Sequence, residues 1–190
     1  MKLKTYLKNK KGISKLTAEY IHKLWQKEDP ENRKLIIVRP GVVFGEYENG
    51  NFTRLINSIA KNRFFYPGRK DTIKACIYVK DLVDVMLQIV KKKNKGVYTY
   101  CMTYEPAPSV ENICGIISES GNLSKPKIKL PSFILLLVAN VFFAITKKES
   151  INPERVKKLM VSNNINGSKL NNEYKLNYGL KDGVLDWMKD

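Results

Sequence analysis

Residues 1–12 carry basic side chains without apolar periodicity, and a disordered basic leader is expected there. From Ile13 the pattern changes. Ile13, Leu16, Tyr20, Ile21 and Leu24 recur at helical spacing and predict an amphipathic helix running to about Lys27. Asp29-Pro30 closes it, because proline disfavours helix in the residue before it. Leu35-Ile36-Ile37-Val38 is then a continuous aliphatic run stopped by Arg39-Pro40-Gly41. Such a run predicts a parallel strand buried on both faces. Ligands of open α/β sheets sit beyond the carboxyl ends of strands, so Arg39–Gly45 is the expected ligand edge.

Downstream, Phe52, Leu55, Ile56, Ile59 and Ala60 mark a second amphipathic helix ending near Asn62. Phe64–Gly68 reads as an aromatic turn, and Ala75–Val79 as a short strand. Asp81 stands where it can cap a helix carrying Leu82, Val83, Val85, Met86, Ile89 and Val90. Val97–Cys101 predicts another strand, and Ser109 caps a helix with Val110, Ile113, Cys114, Ile116 and Ile117. A short extended piece is expected at Ile128–Leu130 and an apolar helix from Ser132. Further helices are expected at Glu154–Val161, from Ser168, and over Leu180–Met188, the last burying Leu185 with Trp187 or Met188. Strands alternating with helices argue for an α/β fold, and the helical tail for a smaller lobe over the sheet edge.

The charge alters this picture. With 34 Lys+Arg against 18 Asp+Glu the chain carries +16. That balance favours anionic partners in general. The lysines are spread along the chain, which argues for a solvated surface and against a nucleic-acid tract. Pro131–Thr146 has sixteen residues without a formal charge and is followed by Lys147-Lys148. It is short against the ~20 residues of a spanning helix. A buried or groove-lining helix is expected, with a surface that touches membrane or a partner as the first alternative and a true span as the second. Cys76, Cys101 and Cys114 form no close pair, which fits reduced thiols in a cytoplasmic protein. His22 is the single histidine, so no Cys/His metal spacing exists, and it reads as a structural residue of the first helix.

Three blocks carry a family resemblance. Lys11-Gly12-Ile13-Ser14-Lys15-Leu16-Thr17-Ala18-Glu19 resembles the active-site helix of extended short-chain dehydrogenase/reductases, the NAD-dependent epimerase/dehydratase family. The family pattern there is Tyr-x-x-x-Lys. Arg39–Gly45 resembles the segment after the family's sixth strand, and Lys74–Leu82 its Arg-x-aromatic-Ile-His/Tyr-Val-x-Asp block. The order and spacing match the second half of a member. The resemblance implies the C-terminal part of a Rossmann-like parallel sheet with a mostly helical substrate-binding lobe, over residues 13–190.

The same resemblance implies NAD or NADP as cofactor and a nucleoside-diphosphate sugar as substrate, as in UDP-glucose 4-epimerase-like enzymes of polysaccharide biosynthesis. It places Lys15 on the nicotinamide ribose as the remaining catalytic residue, and Pro40 and Val43 along the nicotinamide. Phe52, Arg69 and Lys74 fall on the substrate side. Two departures stand out. Lys11 occupies the position of the catalytic tyrosine, and the eleven glycines include no Gly-x-x-Gly-x-x-Gly turn. That turn is what holds the dinucleotide pyrophosphate. A chain inactive alone is therefore expected, or one completed by a separate N-terminal half. Its open sheet edge and the first helix predict self-association, with a homodimer as one form. A non-enzymatic basic protein at membranes or polyanions is the reading from outside the enzyme class.

Overall fold

The computed structural model describes residues 10–137, 140 and 160–189. Two compact units divide the chain: Met1–Arg39 with Met86–Tyr100, and Pro40–Val85 with Cys101–Asp190.

In the first unit, helix α1 spans Lys10–Glu28 and begins one turn before Ile13. Strand β1 spans Lys34–Pro40 and pairs with a strand over Gly96–Met102. The expected burial of β1 on both faces does not hold. Among its residues only Ile37 is buried, at 8% exposure, because β1 belongs to a sheet of two strands. Arg33 ties the end of α1 to the loop: it pairs with Glu28 at 2.8 Å and lies 4.8 Å above the Trp25 ring. The stripe of α1 is uncovered. Ile13, Leu16, Tyr20, Ile21, Leu24 and Trp25 are all exposed, as is His22.

The second unit holds most of the core. Strand β2, Val42–Phe44, pairs in parallel with β4, Cys76–Tyr78, in the register Val42–Cys76, Val43–Ile77 and Phe44–Tyr78. The expected ligand edge at Arg39–Gly45 is thus largely strand. Gly41 makes the transition, since a Cβ there would stand 2.6 Å from the Ala75 carbonyl oxygen. The chain leaves β2 at Gly45, whose φ of 137° suits a residue without Cβ. Helix α2, Asn51–Ala60, follows and buries Phe52 and Ile59. The aromatic turn contains a short strand β3, Tyr66–Pro67, because it pairs in parallel with a distant segment, Lys129–Leu130.

Helix α3 spans Val79–Lys92 and starts before Asp81, which lies in its first turn and not at its cap. Asp81, Val85 and Ile89 form its buried line, while Val83, Met86, Leu87 and Val90 are exposed. A helix apolar on both sides is ordinarily an interior one. Strand β5 is Gly96–Met102, and α4, Val110–Ser120, is capped as expected by Ser109, which accepts the Asn112 N–H at 3.1 Å. Strand β6 is Lys129–Leu130. Residues 132–137 and 140 are helical, and 138, 139 and 141–146 of the expected apolar helix lie outside the described residues. So does the expected helix at Glu154–Val161, except Met160 and Val161. Helices α5, Ser168–Glu173, and α6, Gly179–Trp187, complete the fold. Helix α6 buries Gly183 and Val184 rather than Leu185, because Gly183 lets it press on the Tyr78 ring. Among the described residues no helix is long and apolar enough to cross a membrane.

Candidate functional site

Helix α1 presents Lys15 and Glu19 four residues apart on one face, Lys15 in solvent. Glu19 receives the Arg39 guanidinium as a fork, Nε at 2.8 Å and Nη2 at 2.5 Å. The Arg39 hydrogen bond holds the Glu19 carboxyl below the ordinary carboxylate range, against the opposing effect of burial. The turn after Lys15 is thereby fastened to the carboxyl end of β1. Both residues belong to the recognised blocks, yet their pairing over twenty positions has no local signature.

The other expected site residues fall in the second unit. Pro40 is exposed at the end of β1, and Val43 is half-buried opposite Ile77. Phe52 is 4% exposed and stacks on Phe44 with centroids 4.6 Å apart, so its ring packs in an aromatic cluster. Arg69 is exposed and forks onto Asp71 at 2.6 and 2.5 Å. Lys74 donates from Nζ to the Val161 carbonyl at 2.8 Å, and burial pulls its ammonium below the ordinary lysine range.

Two constellations in this unit were not legible in the sequence. Asp186 accepts both the Tyr78 hydroxyl and Lys80 Nζ at 2.6 Å on one carboxylate oxygen. Burial, followed by the Asp186 hydrogen bond, pushes the Tyr78 phenol up to about 12. That phenol is a proton holder at neutral pH and a poor base. The second is a hub on Asp81, 1% exposed, which accepts the Tyr104 hydroxyl at 2.8 Å. It also accepts the backbone N–H groups of Asn177, Tyr178 and Gly179 at 2.8, 2.9 and 3.0 Å. Asp81 is a helix cap after all, but for α6, and not for its own helix. A cleft of about 420 Å³ lies beside it, lined in part by Glu105, Pro106, Tyr174 and Leu180.

The fit to a dinucleotide is partial. Gly41 and Gly45 follow strands, but their faces are filled by the chain itself. A Cβ would meet the Ala75 carbonyl at 2.6 Å in one case and Val79 Cγ1 at 2.5 Å in the other. Neither of these two described glycines leaves a cradle for a pyrophosphate among the described residues. Among them no cluster of metal-ligating side chains occurs either.

Short parallel strand pairs with helices following them define the class: an α/β protein of Rossmann type. Solved structures agree. UDP-glucose 4-epimerase of Thermotoga maritima with UDP-glucose superposes with a TM-score of 0.62 at 14% identity, over 94% of this chain and 52% of that one. UDP-glucuronic acid 4-epimerase of Bacillus cereus with UDP-glucuronic acid and NAD gives 0.60 at 18%, over 94% and 52%. Residues 5–100, half of the chain, match the model of the NAD dependent epimerase/dehydratase family, and the chain belongs to that family. A relative is the N-acetyl-α-D-glucosaminyl-diphospho-ditrans,octacis-undecaprenol 4-epimerase of Escherichia coli O157:H7, 28% identical over 181 residues. The match spans 90% of this chain and 55% of the relative, so the chain covers about half the length of the proteins it resembles.

Proposed function

We propose that this chain forms the sugar-side half of an NAD-type 4-epimerase acting on diphosphate-linked sugars, and that it does not turn over substrate alone. The observation that carries the reading is Lys11 in the tyrosine position of a helix that otherwise keeps the family pattern, with Lys15 four residues on. A phenol manages the substrate proton in this chemistry, and a lysine ammonium has no lone pair with which to accept it. Lys15 is assigned to the cofactor ribose and Pro40 with Val43 to the nicotinamide side. Arg69 and Lys74 are assigned to the substrate diphosphate, and Phe52, packed on Phe44, to the support behind the sugar pocket. NAD, when bound in such an enzyme, takes and returns a hydride at the sugar. The substrate class is a nucleoside-diphosphate sugar or the polyprenyl-diphosphate sugar named for the E. coli relative. Free cysteines support a reducing, cytoplasmic compartment.

A second reading draws on the exposed stripe of α1 and the uncovered face of α3, which suit a complementary half carrying the glycine turn. Both readings meet one experiment. The pure chain is titrated with NAD(H) and UDP by calorimetry, then assayed for 4-epimerisation of UDP-N-acetylglucosamine, with and without a co-expressed N-terminal half of the E. coli relative. No turnover alone is expected, with UDP retained and NAD(H) bound only in the complemented form. Turnover by the single chain overturns the first reading. No gain of NAD(H) binding on complementation overturns the second.

A further inference from the structure

One surface of the second unit remains outside this account. It begins after α4 and ends in the helical residues 132–137. The stretch reads Lys125-Pro126-Lys127-Ile128-Lys129-Leu130-Pro131-Ser132-Phe133-Ile134-Leu135-Leu136-Leu137. Ile128 is 64% exposed, Phe133 71% and Leu137 63%, with Ile134 also exposed. Single exposed apolar residues need no explanation, but four within ten positions do. Phe133 and Leu137 stand one helical turn apart, so they share a face. The three lysines are exposed as well. Lys125 is paired with Glu119 at 2.8 Å, and Lys127 and Lys129 lie beyond it.

The stretch is held firmly where it meets the core. Tyr66 N–H donates to the Ile128 carbonyl and Gly68 N–H to the Leu130 carbonyl, both at 2.9 Å, along the β3–β6 pair. Arg69 and Lys70 follow Gly68 on the β3 side, paired there with Asp71 and with Glu111, and leave the charge of this edge to Lys127 and Lys129. The result is an apolar helix face beside a row of cations on a fixed support.

We propose that residues 125–137 dock this chain on an anionic lipid bilayer, with Phe133, Ile134 and Leu137 entering the headgroup boundary and Lys127 and Lys129 lying over the phosphates. The chemistry favours lipid over a protein groove. Apolar side chains flanked by lysine stems are the composition of interfacial helices, in which the apolar face enters and the ammonium groups stay at the phosphate level. A net charge of +16 supplies the long-range attraction. Pro131–Thr146 holds sixteen residues without a formal charge, short against the ~20 of a spanning helix, so the contact is one of surface binding. The inference goes beyond the proposed function. It would bring the site to a polyprenyl-linked sugar, but it does not depend on epimerase chemistry.

The test is flotation of the full chain with vesicles free of any sugar ligand. One set is phosphatidylcholine alone and the other contains phosphatidylglycerol at one part in three. The wild type is expected to float with the anionic vesicles and to be released as salt is raised. Phe133→Ser with Leu137→Ser should lower partition about ten-fold. Lys127→Gln and Lys129→Gln should each lower it about five-fold. Circular-dichroism melts check that each variant folds, and the lysine variants serve if the apolar pair does not. Partition that ignores lipid charge, or is unchanged in these variants, overturns the proposal. So does a wild type that stays in the aqueous phase as an oligomer which Phe133→Ser with Leu137→Ser disperses, since the surface would then belong to a second copy. Because the vesicles carry no sugar or cofactor, failure here is distinct from failure of the epimerase reading.

Discussion

Tyr104 donates its hydroxyl hydrogen to Asp81 over 2.8 Å, and the same oxygen accepts the Tyr78 backbone N–H at 3.1 Å. The strand β4, the start of α3 and, through the other bonds of Asp81, the start of α6 are thus joined at one buried carboxylate. Removing that carboxylate leaves three backbone donors and a phenol without their acceptor. Asp81→Ala should cost about 3–5 kcal/mol, the range for losing a buried charge with several hydrogen-bond partners. Tyr104→Phe removes one donor and should cost about 1–2 kcal/mol. Urea unfolding of both variants checks the order. Equal midpoints for Asp81→Ala and wild type would contradict the hub.

The buried thiols give a pH signature. Burial pushes Cys76 up to about 12 from 9.0, and burial does the same to Cys114. In the folded state these groups hold protons that the unfolded chain releases. Their contribution to stability is complete below about pH 9 and is lost as pH climbs towards 12. Tyr78, raised to about 12 from 10.0, adds to the loss above pH 10. Urea midpoints should therefore fall steadily between pH 8.5 and 11. Thiol titration at pH 8 should find only Cys101 quick to react in the native chain and all three cysteines in denaturant.

The fork of Arg69 is occupied by Asp71, and its proposed role on the substrate diphosphate requires that pair to open. Asp71→Asn should free it and tighten UDP binding by up to about five-fold, the worth of an exposed ion pair. Arg69→Ala should weaken binding, and Arg69→Lys should not restore it, because an ammonium lacks the bidentate fork. Calorimetry with UDP decides. Unchanged affinity in all three variants would remove Arg69 from the site.

The uncovered stripe of α1 is expected to drive association of the isolated chain. Sedimentation velocity should show concentration-dependent species that Ile21→Glu with Leu24→Glu reduces to monomer. Both positions are exposed, at 57% and 44%, so folding stability should change by no more than about 0.5 kcal/mol for each. A wild type that is monomeric at all concentrations would refute the expectation.

Most elements were legible in the residue pattern because each is a local matter. The helices at Phe52 and Ser109 follow from 3.6-residue spacing and a hydroxyl cap, and the strand at Ile77 from a short run of buried aliphatic and aromatic side chains. Family membership was legible too, because Lys15, Arg39 and Asp81 stand in short blocks whose order survives without the fold. What those residues do was not. Arg39 stands in a strand-ending Arg-Pro-Gly pattern, yet it clamps Glu19. Asp81 stands where it could cap its own helix, yet it caps one that starts nearly a hundred residues later. Phe44 and Phe52 stack, and Tyr78 meets Asp186, only because β2, β4 and α6 are brought together. Spacing along a chain specifies periodicity and local hydrogen bonds. Partners across long loops are selected by packing and by the need of buried polar groups for an acceptor, and only the tertiary structure decides which acceptor that is.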